Sequence, residues 1–122
     1  MEAAAAAVNI GPRERRKRRV MGIAGLAAGA LLAFALVALS APRFSRLFIF
    51  FPIWIAALGL LQTREQTCIA LAARGTRNMD DGEEAIEDDR LVKELRVVAR
   101  RINRRALLTA AIVTLVALAF PD

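Results

Sequence analysis

VMGIAGLAAGALLAFALVALSA, residues 20–41, is a run of 22 residues without a charge. Wound as a helix it rises about 33 Å, enough to cross a hydrocarbon core of about 30 Å. Two more apolar runs span 15 residues each: Leu47 to Leu61, between Arg46 and Arg64, and Ala106 to Phe120, which follows Arg104 and Arg105. A soluble domain of 122 residues has no use for so much uninterrupted apolar sequence, so lipid is the expected solvent. The predicted fold is all-α: a membrane protein with three transmembrane helices and a cytoplasmic amphipathic helix.

Composition agrees. Hydrophobic residues make up 57% of the chain and charged residues 25%, and the two classes are segregated into blocks. The net charge of +6 would suit nucleic acid, but the arginines sit at the ends of the apolar runs, where anionic headgroups account for them. No nucleic-acid recognition fold is visible, so nucleic acid is not an expected partner. The single cysteine, Cys68, excludes an intrachain disulfide. Histidine and tyrosine are missing, which removes the commonest metal ligand and general base and the usual axial ligand of haem or chlorophyll. No catalytic residue, metal site or cofactor of its own is expected.

Four segments follow from the charge pattern. Residues 1–19 form a basic cytoplasmic segment, in which an alanine run at 3–7 precedes Asn9, Gly11, Pro12 and the block Arg13, Arg15, Arg16, Lys17, Arg18, Arg19. Pro12 suits the first turn of a helix. The apolar run behind this block exceeds the roughly 7–15 residues of a signal-peptide core and is followed by Pro42-Arg43, so it reads as an uncleaved span. Residues 20–63 are a transmembrane hairpin whose outer turn holds only Arg43 and Arg46. Its second span, Arg46 to Thr63, crowds Phe48, Phe50, Phe51 and Trp54 near the outer end, and Pro52 should kink it.

Residues 64–105 form cytoplasmic interfacial and charged amphipathic helices, and 106–122 the third transmembrane helix. Ten Lys/Arg between 62 and 105, against two in the outer turn, place this arm on the cytoplasmic side. Gln62 to Arg77 reads as a helix lying at the interface. Asp80, Asp81, Glu83, Glu84, Glu87, Asp88 and Asp89 then crowd together, and Asp81 with Glu84 has capping-box spacing for a new helix. Along it Leu91, Leu95, Val98 and Ile102 recur at helical spacing, with Val92 and Ala99 beside them. Arg100, Arg101, Arg104 and Arg105 complement its dipole before it runs straight into the short third span, where Arg104 and Arg105 must snorkel. The expected location is the bacterial inner membrane, multi-pass, with the N-terminus cytoplasmic and the C-terminus periplasmic.

Several residues are candidates for contact. Gly22, Gly25 and Gly29 share one face of the first span, and small residues let helices approach closely in lipid. The face would take either this chain's own second span, through Ala56 and Gly59, or a partner's helix, a homodimer included. Arg15, Arg16, Arg18, Arg19, Trp54, Arg104 and Arg105 read as residues of the membrane interface. Trp54 and the phenylalanines would also suit peripheral contact with lipid, quinone, carotenoid or chlorophyll held by a neighbour. Cys68 is either a small buried residue at a helix corner or a redox-active thiol with Arg64 and Arg74 close in sequence. Residues 78–82 lack the alternating ligands of a calcium loop. The acids would bind a partner's basic surface or the chain's own Arg74, Arg77 and Arg90.

The stretch from Asn9 to Gly22 resembles the start of the small YgaP-like inner-membrane domain. Asn9, Gly11, Glu14, Arg15, Arg18 and Gly22 fill that family's asparagine, glycine, acid–arginine pair, second arginine and entering glycine. Gly59, Cys68 and Gly75 fall where it has a glycine, a cysteine and a closing glycine. The resemblance covers about residues 8–76. It implies a two-span helical hairpin, often appended to or encoded beside a rhodanese-type sulfurtransferase. Here no rhodanese domain is present, Ile69 and Ala70 replace the proline and aromatic that usually follow the cysteine, and a charged helix and third span are added.

These features predict a non-catalytic accessory subunit of a larger bacterial membrane complex, respiratory or photosynthetic, packing on partner helices and docking through its charged helix. The alternative is a thiol-bearing component of sulfur or redox handling that uses Cys68.

Overall fold

The computed structural model describes residues 8–121; the alanine run at 3–7 lies outside them. Helix α1, Pro12–Ala38, has its proline at the first position, where a missing N–H costs no helical bond. It carries the basic block and the apolar run as one uninterrupted helix. Ser40 turns out with φ 53, and a 3-10 helix, Arg43–Ile49, leads directly into α2, Phe50–Glu65. Gln66, at φ 54, ends α2. The short α3, Ile69–Arg74, closes on Gly75 at φ 68, a left-handed position that favours glycine. Strands β1, Thr76–Asn78, and β2, Glu83–Ala85, precede α4, Asp89–Ala119. Three helical stretches, Pro12–Ala38, Arg43–Glu65 and Asp89–Ala119, are long and apolar enough to cross a membrane.

Three expectations need correction. The fold is mostly helical rather than all-α, because β1 and β2 pair antiparallel in the register Thr76↔Ala85, Arg77↔Glu84, Asn78↔Glu83. The interfacial helix expected over 62–77 is instead the end of α2, the short α3 and a strand. The capping-box start at Asp81 is replaced by a later one: Asp88 caps α4, its carboxylate accepting from the Arg90 N–H at 3.0 Å. The physical reason lies in the hairpin loop. Asp80 and Gly82 take φ 76 and 97, which no helix start allows, and Glu84 pairs across the strands with Arg77 at 2.8 Å. Pro52 falls in the first turn of α2, just after the change from 3-10 to α winding.

Helix α2 packs against α1 on one side and α4 on the other. The α1–α2 seam is a backbone contact. A Cβ on Gly59 would lie 2.5 Å from the Arg18 carbonyl oxygen and from the Gly22 nitrogen; one on Gly25 would lie 2.8 Å from the Ala56 nitrogen. Gly29 abuts Ile53. The glycine face is therefore occupied within the chain and is not free for a partner's helix.

On α4 one stripe is buried from end to end: Leu95, Ala99, Ile102, Ala106, Ala110 and Thr114. In the charged half the stripe meets α3, where Leu95 and Ala99 cluster with Ala72 and, less deeply, Ile69. The amphipathic face is thus covered by protein. Two arginines fasten α4 to the second span. Arg101 pairs with Glu65 at 3.0 Å, and at the far end buried Arg46 donates to the carbonyls of Ala117 (2.8 Å) and Phe120 (2.6 Å), a cation on a helix C-terminus. Gly59→Ala should force α1 and α2 apart and cost about 1–3 kcal/mol. Reversible unfolding in detergent measures it, with exposed Leu26→Ala as a control that leaves the midpoint unchanged.

Candidate functional site

The basic end of the bundle gathers segments far apart in sequence. Residues 9–11 run beside β1: the Asn78 N–H donates to the Asn9 carbonyl at 2.8 Å and the Gly11 N–H to the Asn78 carbonyl at 3.0 Å. Gly11 brings no capping side chain to α1. Asp80 takes the role from the hairpin loop, its two carboxylate oxygens accepting from the N–H groups of Arg13 and Glu14, each at 3.1 Å. Negative charge at a helix N-terminus is favourable in itself. A Cβ on Gly11 would lie 2.8 Å from the Asp80 carboxyl carbon, so the cap requires glycine there.

Asn9 is fully buried and clamps the backbone of Cys68. Its Oδ1 accepts from the Cys68 N–H at 2.7 Å, and its Nδ2 donates to the Cys68 carbonyl at 3.2 Å. One residue on, Gln62 Oε1 accepts from the Ile69 N–H at 3.0 Å and so opens α3. The thiol of Cys68 is buried, and its Sγ accepts from Arg18 Nη2 at 3.1 Å. Arg18 Nη1 reaches Glu14 at 2.9 Å, and Glu14 also binds Lys17 at 2.8 Å. A cleft of about 260 Å³ adjoins the sulfur, lined by Lys17, Arg18, Met21, Gln62 and Cys68. The guanidinium at the sulfur is thus Arg18, from the first helix, and not Arg64 or Arg74. The arrangement fixes the position of the sulfur and gives it one strong donor.

The interface candidates divide. Arg16, Arg19, Arg104 and Arg105 are exposed. Arg15 and Arg18 are half-buried, and the Thr63 hydroxyl lies 3.2 Å from the Arg15 carbonyl. Trp54 is half-buried beside Phe50, ring centroids 6.4 Å apart, and its shielded indole N–H meets no acceptor among the described residues. It therefore offers no polar handle to headgroups, whereas Phe48 and Phe51 are exposed. The acidic cluster is spent largely within the chain: Glu83 pairs with Arg74 at 3.0 Å, Glu84 with Arg77, and Asp80 and Asp88 cap helices. Among the described residues no group of three His, Cys, Asp or Glu side chains is placed to hold a metal ion. No protein-family model, curated protein or solved structure matches the chain.

The sequence does not mark Asn9, Asp80 and Gln62 as structural keys, because Asn9 and Asp80 bond backbones far away in the chain and Gln62 bonds across the break between two helices. The turn residues around Asp80 were the one available sign. Asn9→Ala would leave the Cys68 N–H without its acceptor, at a cost of about 1–3 kcal/mol. Maleimide labelling of Cys68 should speed up markedly in that variant, and an unchanged rate would show that the clamp does not govern access to the sulfur.

The Arg74 guanidinium, aided by the Thr76 hydroxyl, holds the Glu83 carboxyl below the usual carboxylate range. A depressed carboxyl contributes stability that is present above its unfolded value and lost as pH falls through the folded one. Acidification through the carboxylate range should therefore lower the protection factors (amide exchange corrected for its intrinsic pH dependence) in residues 76–78 and 83–85. Glu83→Gln should flatten that dependence.

Proposed function

We propose that this chain is a non-enzymatic accessory subunit of a larger complex in the bacterial inner membrane, respiratory or photosynthetic, with its basic end and charged arm in the cytoplasm. The observation that carries the reading is the apolar surface left uncovered along the spans: Phe34 on α1 is 73% exposed and Leu115 on α4 63%. These surfaces suit lipid and a partner's helices together. The orientation is supported by the fate of Arg46, which is buried on the α4 terminus and leaves the other turn with Arg43 as its exposed cation. Asn9, Glu14, Arg18 and Cys68, four of the residues on which the resemblance to YgaP-like domains rests, lie together at the basic end. Extraction in mild detergent followed by native electrophoresis tests the proposal: the chain should migrate with a larger membrane assembly, and consistent migration alone would overturn it.

A second reading rests on the 3.1 Å contact between Arg18 and the Cys68 sulfur, and takes the chain as a thiol-bearing component of sulfur or redox handling. Cys68→Ser separates the two. Assembly and host-complex activity that survive the substitution leave the subunit reading and remove the thiol one.

A further inference from the structure

We propose that the crease between α2 and α4 binds one anionic phospholipid of the leaflet at the basic end, with its phosphodiester on Arg64 and Arg105 and its acyl chains against Leu60, Leu61, Leu108 and Ile112. The inference rests on the membrane-spanning part of the reading above, not on the subunit part. The crease is a cavity of about 460 Å³ lined by both helices. Its chemistry changes along one direction. On α2, Arg64 is followed towards the membrane interior by Leu61, Leu60 and Ala57 on the same face; on α4, Arg105 is followed by Leu108 and Ile112. Seven residues of helix cover about 10 Å, so each wall offers one cation and then a stretch of hydrocarbon of that length.

Neither arginine is spent within the protein. Among the described residues, no salt bridge or side-chain hydrogen bond engages Arg64 or Arg105, and both are exposed. The adjacent acid, Glu65, is already paired with Arg101. The Thr109 hydroxyl turns back to the Arg105 carbonyl at 2.8 Å and is satisfied locally. An occupant must therefore bring negative charge at the depth of the two guanidinium groups and apolar matter directly below them. A phospholipid with a net negative headgroup has that order built in, and basic recesses between spans on the cytoplasmic side are suited to such headgroups. A partner's helix would need acids at one matching depth and nowhere else in the crease.

The test uses the full chain in mild detergent, with native mass spectrometry of adducts formed with phosphatidylglycerol or with phosphatidylcholine of the same chain length. Phosphatidylglycerol should be retained in preference. R64Q/R105Q should weaken its retention about 30-fold, the order set by two cations near an anionic surface, and leave phosphatidylcholine unchanged. The charge-preserving R64K/R105K should retain most of the preference, which guards against a folding defect in the first variant. Glycerol phosphate, a headgroup without chains, should not displace the lipid. Equal retention of the two lipids, no loss in R64Q/R105Q, or displacement by glycerol phosphate would each overturn the site. A photoreactive residue at position 108 should crosslink to lipid in membranes; crosslinking to a polypeptide instead would also overturn it. Lipid adducts are read on the isolated chain, so their failure is distinct from a failure of assembly with a larger complex.

Discussion

The rest of the molecule depends on how closely α1 and α2 approach. Lipid tails are as apolar as leucine, so the bilayer supplies no hydrophobic force to hold two spans together. Contact must come from dispersion and polar bonds, which act only at short range. Gly22 and Gly59 meet backbone to backbone, where a single Cβ would intrude to 2.5 Å. That closeness sets the lateral position of Arg18 and brings its guanidinium to the sulfur of Cys68, fifty residues later. It also delivers residues 9–11 to the edge of β1, so the glycine seam and the small sheet are parts of one arrangement.

Outside the apolar region a second rule operates. Three helix ends at the basic face are completed by a side chain from outside the helix: Asp80 for the start of α1, Gln62 for the start of α3, and the Arg96 guanidinium for the carbonyls of Ala72 and Ala73 at its finish. Backbone groups at helix ends must find partners or water. Remote partners make the termini mutually dependent, so α1, the hairpin, α3 and α4 are joined without any large aliphatic core. Buried apolar side chains there are few: Ile10 with Leu71 and Cys68, and Leu95 with Ala72 and Ala99.

The three apolar runs were legible because length and hydropathy alone define them, and the glycine spacing on α1 announced a close contact without saying which helix would provide it. The charged helix running into the third span was legible from Leu95, Ala99 and Ile102. What the sequence concealed was the region from Gln62 to Asp88. Acids at Asp81 and Glu84 have the spacing of a helix start, yet the Asp80–Gly82 turn and the Arg77–Glu84 pair favour a hairpin, and nothing in one-dimensional spacing ranks these choices. Arg46 misled in another way. It counted as an outer-loop charge, but its guanidinium is committed to carbonyls more than seventy residues away. At Cys68 the cation in contact with the sulfur is Arg18 rather than its sequence neighbours Arg64 and Arg74, because contact there is made by packing between helices.

Helix α4 contains neither proline nor glycine across its 31 residues. Sharp bends in helices nearly always occur at such residues or at π-bulges, so this one behaves as a stiff rod about 46 Å long. Its near end is gripped by α3 and Glu65, and its far end by Arg46. A rod held at both tips has no hinge to absorb torque. Rotation applied at the hairpin would emerge at Phe120, at the other end of the bundle, which makes this helix a mechanical shaft along the length of the molecule.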